Sequence, residues 1–170
     1  MDVLVVRHGI AMEREDAQAV GIAEAERPLT PQGRKRMKRA AKGLYRVVGE
    51  LDSLLTSPYR RAVETAEFVV KAYDGLACEE TDTLLPDADP EELCQVLAAR
   101  PRASVVAVVG HEPHLGRFLG YCLYAELKSP FDFKKGGACL IHFDDAPAAS
   151  AGRLSWFLPP RFLRRLRVES

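Results

Sequence analysis

The sequence predicts an α/β fold, a three-layer αβα sandwich around a mostly parallel central sheet. Three short apolar or β-branched runs, residues 3–6, 51–56 and 105–109, each give way to a polar turn and then to a helical pattern. Buried parallel strands joined by crossover helices produce this alternation. We therefore expect the three runs to be strands of one sheet with helices on both of its faces.

The first two helices are predicted from their start signals and from the spacing of their apolar residues. Thr30 is a good N-cap residue and Pro31 suits the first helical position, so a helix begins there and ends near Gly49. A second helix follows Pro58, and its apolar positions leave one face to be buried. Residues 73–75, Tyr-Asp-Gly, then form a turn.

Two more helices and two late strands complete the predicted sandwich. A third helix opens at Pro90, with acidic residues in its first turn, and a fourth begins near Pro113. The late strands are residues 138–143 and 153–157. Residues 11–27 form the only extended loop that the sequence predicts.

Composition and charge restrict the possible functions. The 170 residues are predicted to form one domain, residues 1–170. Lys plus Arg equal Asp plus Glu at 24 each, so no overall field attracts nucleic acid or membranes. No apolar run approaches the roughly 20 residues that span a bilayer, and no secretory signal is recognisable. We expect a cytoplasmic protein; its oligomeric state is not specified by the sequence.

Histidine and basic side chains follow each of the three predicted strands, at the point where the strand ends. These residues, together with the neighbouring Gly9 and Glu112, form the candidate site: Arg7, His8, Gly9, Arg60, Arg61, His111 and Glu112. Because ligands of parallel α/β sheets bind beyond the carboxyl ends of the strands, we expect these side chains to converge. Two imidazoles and two or three guanidiniums then meet with no matching group of carboxylates, which suits a compact dianion.

The chemistry that fits such a pocket is phosphoryl transfer. Arginine binds phosphate through paired donors and keeps its charge. A neutral imidazole beside a bound phosphoryl group is a competent nucleophile, and the surrounding cations stabilise its oxygens in the transition state. Backbone N–H groups of the Gly9 turn, and of the helix start after Gly110, are expected to bind the same oxygens.

No metal or cofactor is expected. Pro113 lies between His111 and His114, and no third ligand is evident, so we interpret His114 as structural, like His142. The widely spread cysteines form no CxxC pair and are expected to be reduced thiols in the core. They are Cys78, Cys94, Cys122 and Cys139.

Each site residue also has a structural interpretation. A single histidine at a strand end, such as His8, is more often a hydrogen-bonded structural residue than a catalyst. Arg60 and Arg61, taken alone, would be charges on the surface of a helix. The occurrence of such residues at three strand ends together is what favours a catalytic site.

Four motifs, in order along the chain, resemble those of a known superfamily. Arg7-His8-Gly9 matches an Arg-His-Gly triplet after the first strand, and residues 27–33 resemble a Leu-Thr-x-x-Gly helix start. Residues 57–65 resemble a Ser-x-x-x-Arg-Ala-x-x-Thr element, and Gly110-His111 matches a second histidine. The chain thus resembles the histidine phosphatase superfamily, also called the phosphoglycerate mutase-like family.

This resemblance implies a phosphoglycerate mutase-like fold and a metal-independent phosphatase in which His8 is transiently phosphorylated. It assigns phosphate binding to Arg7, His8, Gly9, Arg61 and His111, with Arg61 rather than Arg60 as the second arginine. Water then hydrolyses the phosphohistidine. Because only unprotonated His8 can attack, turnover is predicted to fall as mild acidity protonates it.

Within the superfamily, the chain looks most like the SixA-type phosphohistidine phosphatases. The short length and the segment 156–160, Trp-Phe-Leu-Pro-Pro, favour this type, and a large cap insertion is not expected. The resulting open site would admit phosphohistidine on a signalling or phosphotransfer protein, whereas a small sugar phosphate would gain few contacts there.

The general acid is predicted less sharply. Glu112 is the first candidate and Asp87 the second, and both have an alternative interpretation as solvated charges. An imidazole has a conjugate acid with a pKa of about 6.5, so it leaves far more easily than an alkoxide. A phosphohistidine substrate therefore needs no strong acid.

Two alternatives remain open. One is a broader phosphomonoesterase for a small metabolite or for phosphorylated Ser or Thr. The other is a non-catalytic module that binds a phosphorylated partner. A basic run near the C-terminus either docks such a partner or forms an amphipathic helix on the domain surface. Its members are Arg161, Arg164, Arg165 and Arg167.

Overall fold

The computed structural model describes residues 1–102 and 104–166. Arg167, the last member of the basic run, lies outside this range. The strands are β1 (Asp2–Arg7), β2 (Ser53–Thr56), β3 (Cys78–Glu80), β4 (Val105–Gly110), β5 (Ala138–Phe143) and β6 (Gly152–Leu158). The α-helices are α1 (Arg14–Ala19), α2 (Pro31–Val47), α3 (Arg60–Ala72), α4 (Pro90–Ala98), α5 (His114–Tyr124) and α6 (Pro160–Leu163).

The strands form one sheet in the order β3-β2-β4-β1-β5-β6. The first four of these strands run parallel to one another. At the other side of the sheet, β5 pairs antiparallel with β1, and β6 pairs antiparallel with β5. β1 and β4 are neighbours in a register that places Arg7 beside Gly110. The predicted mostly parallel sheet is confirmed, and the ends of β1, β2 and β4 lie at one edge.

Alternate residues of the buried strands face two separate hydrophobic layers. Val3 and Val5 of β1 pack on the side covered by α4 and α5, whereas Leu4 and Val6 pack against α2 and α3. Because successive side chains of a strand point to opposite faces, a continuous apolar run serves both layers. The three-layer αβα sandwich is therefore confirmed.

The helix boundaries follow the predicted start signals. Thr30 Oγ1 accepts a hydrogen bond from the Gly33 N–H at 2.9 Å, and Pro31 is the first residue of α2. Asp74 and Gly75 have positive φ angles of 60° and 95°, as the turn after α3 requires. The helix α6 is a single amphipathic turn whose Leu163 is fully buried.

Two expectations about local structure are wrong, on the loop at residues 11–27 and on the burial of Cys78, and one strand, β3, was not predicted. The segment 11–27 is not an extended loop, since it contains α1 and a 3₁₀ turn at Glu24–Glu26. The strand β3 is an exposed edge strand of three residues, too short and too polar to show the apolar periodicity from which a strand is predicted. Cys78 lies in this strand and is exposed. The other three cysteines are buried free thiols, as expected.

None of the helices in the described part of the chain is long and apolar enough to cross a membrane.

Candidate active site

A cavity of about 350 Å³ lies at the carboxyl edge of the sheet. Its lining includes Arg7, His8, Arg61, His111, Glu112 and Asp87. The backbone holds the strand ends in contact, because the His8 N–H donates to Gly110 O at 3.0 Å and the Ser57 N–H donates to Val109 O at 2.9 Å. Side chains far apart in sequence thus share one cavity.

His8 is held as a neutral imidazole in a defined orientation. Its Nδ1 lies 2.7 Å from Gly9 O, and because a carbonyl oxygen only accepts, Nδ1 carries the proton. Nε2 then keeps a free lone pair. Burial, followed by the nearby His111 and Arg61, lowers the pKa of His8 well below its usual 6.5. His8 is therefore unprotonated at neutral pH and available as a nucleophile.

Gly9 supports His8 but is not among the residues that line the cavity. Its N–H donates to Thr65 Oγ1 at 3.0 Å, so it is not free to bind a phosphoryl oxygen. A side chain at Gly9 would meet Met37 Cγ at 2.5 Å. Phosphate binding by Gly9 stays a prediction; the contacts of Gly9 show that its carbonyl orients His8 and that its small size permits close packing.

Arg61 enters the cavity, whereas Arg60 does not. The Arg61 side chain is buried, and its guanidinium carbon lies 4.9 Å from the centre of the Tyr59 ring. Burial, and then the neighbouring Arg27, lowers the pKa of Arg61 to about 10, so the guanidinium stays charged at neutral pH. Arg60 is exposed and pairs with Glu64 at 3.0 Å.

Arg7 is half-buried and lines the same cavity as His8. One of its terminal nitrogens donates to Phe133 O. Burial lowers the pKa of Arg7, while the carboxylates of Glu112 and Asp132 oppose this shift. The cavity therefore contains guanidinium groups from the end of β1 and from the first turn of α3.

His111 is a second neutral imidazole, with its ring centre 5.0 Å from that of His8. Its Nε2 lies 2.8 Å from Ser57 Oγ, and its buried Nδ1 has no hydrogen-bond partner within the described residues. Burial, and then Arg61, lowers the pKa of His111 to about 3. His111 can thus offer a hydrogen bond to a bound group, but not a positive charge, at neutral pH.

Glu112 is better suited than Asp87 to act as a proton donor, because it is partly buried and its pKa is raised. Burial raises the pKa of Glu112, although Arg7 opposes the shift. The buried Glu112 Oε1 has no hydrogen-bond partner in residues 1–102 and 104–166. Asp87 lies on the same cavity but is exposed at its rim. A partly buried carboxyl group is more readily protonated, so Glu112 remains the first candidate.

A carboxylate that the sequence analysis missed lies in this cavity. Glu24 Oε1 is 3.2 Å from Arg61 Nη2 and 2.7 Å from Arg27 Nη2, and Glu24 Oε2 is 3.2 Å from Arg14 Nε. The sequence predicted no matching group of carboxylates, and the structure adds one carboxylate, Glu24, that three arginines share. No spacing signal identified Glu24, because its segment was interpreted as a loop.

No group of three or more His, Cys, Asp or Glu side chains is placed to hold a metal ion in the described portion of the chain.

Sequence comparison identifies the family of this chain. The profile of the histidine phosphatase superfamily (branch 1) matches residues 3–85, which include the strand ends after β1 and β2. An uncharacterised protein of Picosynechococcus sp. is 32% identical over 140 residues, covering 81% of this chain and 82% of that protein. The chain belongs to the histidine phosphatase superfamily.

Solved structures agree with this assignment. The histidine phosphatase superimposes on the protein histidine phosphatase SixA, solved with tungstate, with a TM-score of 0.82 and 25% identity, covering 96% of this chain and 99% of that one. A candidate SixA of Agrobacterium tumefaciens has the same fold, with a TM-score of 0.75 and 23% identity over 94% and 97% of the two chains. The phosphoglycerate mutase-like fold is thereby confirmed.

Proposed function

We propose that this histidine phosphatase hydrolyses phosphohistidine on a signalling or phosphotransfer protein through a phospho-His8 intermediate. The observation that carries the proposal is the His8 imidazole, which is neutral, oriented by Gly9 O and surrounded by arginine side chains. The likeness to SixA supports the substrate class, and the tungstate in that structure is a tetrahedral oxyanion like phosphate.

The proposed reaction has two steps. His8 Nε2 attacks phosphorus, the P–N bond of the substrate breaks, and its electron pair passes to the leaving imidazole nitrogen, which takes up a proton. A water oxygen then attacks the phosphorus of phospho-His8, giving inorganic phosphate and regenerating neutral His8. In the transition state of each step, negative charge is spread over the three equatorial phosphoryl oxygens, where positioned donors lower the barrier.

The basic residues supply those donors. Arg7 and Arg61 hold the phosphoryl oxygens, and His111 donates a hydrogen bond to the transferred group. In the free enzyme the Arg61 guanidinium is paired with Glu24. A bound phosphoryl group therefore either displaces the Glu24 carboxylate from Arg61 or shares the guanidinium with it. The charge on the oxygens is taken up by the protein's own cations, and the proposed reaction uses no metal ion.

The leaving group explains why a phosphohistidine suits this site. An imidazole has a conjugate acid with a pKa of about 6.5 and needs little help from an acid. Glu112, with its raised pKa, is available to donate the proton but is not essential for this leaving group.

The test uses a protein labelled on histidine with ³²P, incubated briefly with the enzyme in EDTA-containing buffer and quenched in alkali, which preserves P–N bonds. We expect the label on His8. His8→Ala should abolish turnover, and His8→Asn should do the same while still binding phosphate. Substantial hydrolysis by either variant, or label on another residue, would refute the proposal.

Glu112 favours a second candidate, a phosphomonoesterase for small metabolites or phosphorylated Ser or Thr. An alkoxide leaving group requires a proton donor, and a partly buried carboxyl group with a raised pKa is suited to that role. Competition between the phosphohistidine protein and small phosphate esters distinguishes the two. Preference for the esters would favour this second function, in which phospho-His8 still forms.

A further inference from the structure

A second and larger cavity, of about 440 Å³, lies beside the first and is not used by the proposed reaction. We call it the basic groove. Its apolar lining includes Ile10, Met37, Ala40, Pro159 and Pro160. Its cationic lining consists of Arg36, Lys134, Lys135, Arg161 and Arg164. An apolar surface bordered by cations is thus formed between α2, α6 and the segment before β5.

The basic groove adjoins the catalytic cavity directly. Lys135 lines both cavities. The Gly136 N–H is shared between Arg7 O and His8 O, at 3.1 and 3.0 Å, so this wall of the groove is fixed to the end of β1. Met37 packs closely against Gly9, the residue that orients His8. A ligand that holds its phosphoryl group at His8 therefore has this groove immediately beside it.

The charge of the groove is only partly neutralised within the described part of the protein, since Lys135 pairs with Glu13 at 3.7 Å but the three arginines have no such partner there. Arg36, Arg161 and Arg164 form no ion pair with any carboxylate in the described residues. Asp132 is the only acidic residue in the described lining, and it pairs with Lys134 at 2.5 Å. In a chain with no net charge, this local excess of cations is a specific feature of one surface.

We propose that the basic groove binds an acidic segment of the phosphoprotein substrate, with an apolar side chain of that segment seated on Met37 and the prolines. This inference rests on the proposed function and names the surface that selects its substrate. The cations match carboxylates, and the apolar floor matches an aliphatic side chain. Nucleic acid fits less well, because the described lining contains no aromatic ring on which a base would stack.

The experiment uses two synthetic peptides with one histidine each, phosphorylated with phosphoramidate. One has Glu and Leu around the histidine, and the other has Gln in place of each Glu. We expect the wild-type enzyme to have a KM for the acidic peptide lower by about tenfold, with similar kcat. Arg36→Glu and Arg161→Glu should remove this advantage and leave the turnover of free phosphohistidine unchanged.

Lys38→Glu is the matched control, since it makes the same charge change on an exposed position of α2 outside the groove. It should retain the preference for the acidic peptide, and the melting temperature of each variant checks its folding. Equal KM values for the two peptides with the wild-type enzyme, or equal loss of the preference in all three variants, would overturn the inference.

A binding measurement separates this inference from the proposed function. Fluorescence anisotropy of the unphosphorylated acidic peptide reports docking without catalysis. If the enzyme hydrolyses no phosphohistidine but binds this peptide in an Arg36- and Arg161-dependent manner, the proposed function fails and the groove assignment stands. If it hydrolyses both peptides but binds single-stranded RNA and not the acidic peptide, the groove assignment fails alone.

Discussion

The His8 side chain illustrates how its surroundings determine its protonation state. An exposed imidazole is partly protonated in mild acid, and the sequence alone therefore predicts a loss of turnover there. In the folded protein, burial and the nearby cations disfavour the protonated form, and its pKa is lowered well below 6.5. The predicted loss of turnover in acid is thus expected at a lower pH than for an exposed imidazole.

The pH dependence of kcat/KM should show this directly. In the proposed reaction the reactive form of His8 is the unprotonated one, so activity is expected above its folded-state pKa and is lost only as the pH falls through that value. Because that pKa is lowered, we expect kcat/KM for a phosphohistidine peptide to stay constant as the pH falls from 7.5 through about 6.5, where an ordinary imidazole is half protonated. Ionic strength is held constant, and circular dichroism confirms that the protein stays folded. A loss of half the activity by about pH 6.5 would contradict this assignment.

At the scale of elements, α3 connects the parts of the site. Its first turn supplies Arg61, and Thr65 one turn later accepts from the Gly9 N–H at 3.0 Å. Glu64, between them, accepts from the Leu29 N–H at 2.8 Å and pairs with Arg34 at 2.9 Å. One helix therefore fixes both the turn after β1 and the start of α2.

The start of α2 is packed against the segment that follows His8, and Gly33 permits this. A Cβ atom on Gly33 would lie 2.0 Å from Ile10 O, while the Thr30 N–H donates to the same oxygen at 2.9 Å. Glycine to alanine in a helix normally stabilises by about 1 kcal/mol. Here we expect Gly33→Ala to lower the free energy of unfolding by about 1–3 kcal/mol, because the backbone must move apart.

Urea denaturation measures this change, and kcat should fall as the turn after β1 shifts. Gly49→Ala is the control, since a Cβ there meets no atom within 4 Å. Its free energy of unfolding should differ from that of the wild type by less than about 0.5 kcal/mol. A Gly33→Ala protein as stable as Gly49→Ala would show that the two segments are not in fixed contact.

Elements with strong local signals were predictable from the sequence, and the remainder depends on tertiary contacts. The start of α2 follows from Thr30 and Pro31, whose conformational preferences are local. The strand β3 has no such signal, because its three exposed residues pair only through backbone hydrogen bonds with β2. Glu24 likewise has no local signal, since its role depends on arginines brought close by the fold.

For the whole molecule, the candidate site was predictable because parallel strands bring their carboxyl ends to one edge. Residues 7, 8, 61 and 111 are spread over more than half of the chain and share one cavity. The sequence did not predict which hydrogen-bond partner each backbone N–H group of the site would have. The Gly9 N–H is taken by Thr65, a contact that requires α3 to lie against the end of β1.

The stability of the whole protein should fall in acid because several imidazoles are buried without charge. Burial, and then Arg117, lowers the pKa of His114 to about 4, although the Asp89 main chain opposes this shift. Neither ring nitrogen of His114 has a hydrogen bond of standard geometry within the described chain. In the unfolded state a histidine binds its proton near pH 6.5. The stability due to neutral burial is thus fully present above about pH 6.5 and is lost as the pH falls towards the folded-state pKa.

We therefore expect His114→Leu to reduce the acid sensitivity of folding. Below about pH 6, each such imidazole removes about 1.4 kcal/mol of unfolding free energy per pH unit, or on the order of 3 kcal/mol for His114 by pH 4. At pH 7.5 the variant should be as stable as the wild type or more so, because an unpaired buried polar group is replaced by an apolar one. Urea denaturation from pH 7.5 to 4 measures the slope, and His142→Gln is the control because that imidazole is 38% exposed in the folded protein. If His114→Leu and wild type lose stability in parallel, His114 is already protonated in the folded state, and its neutral burial is not a source of the acid sensitivity.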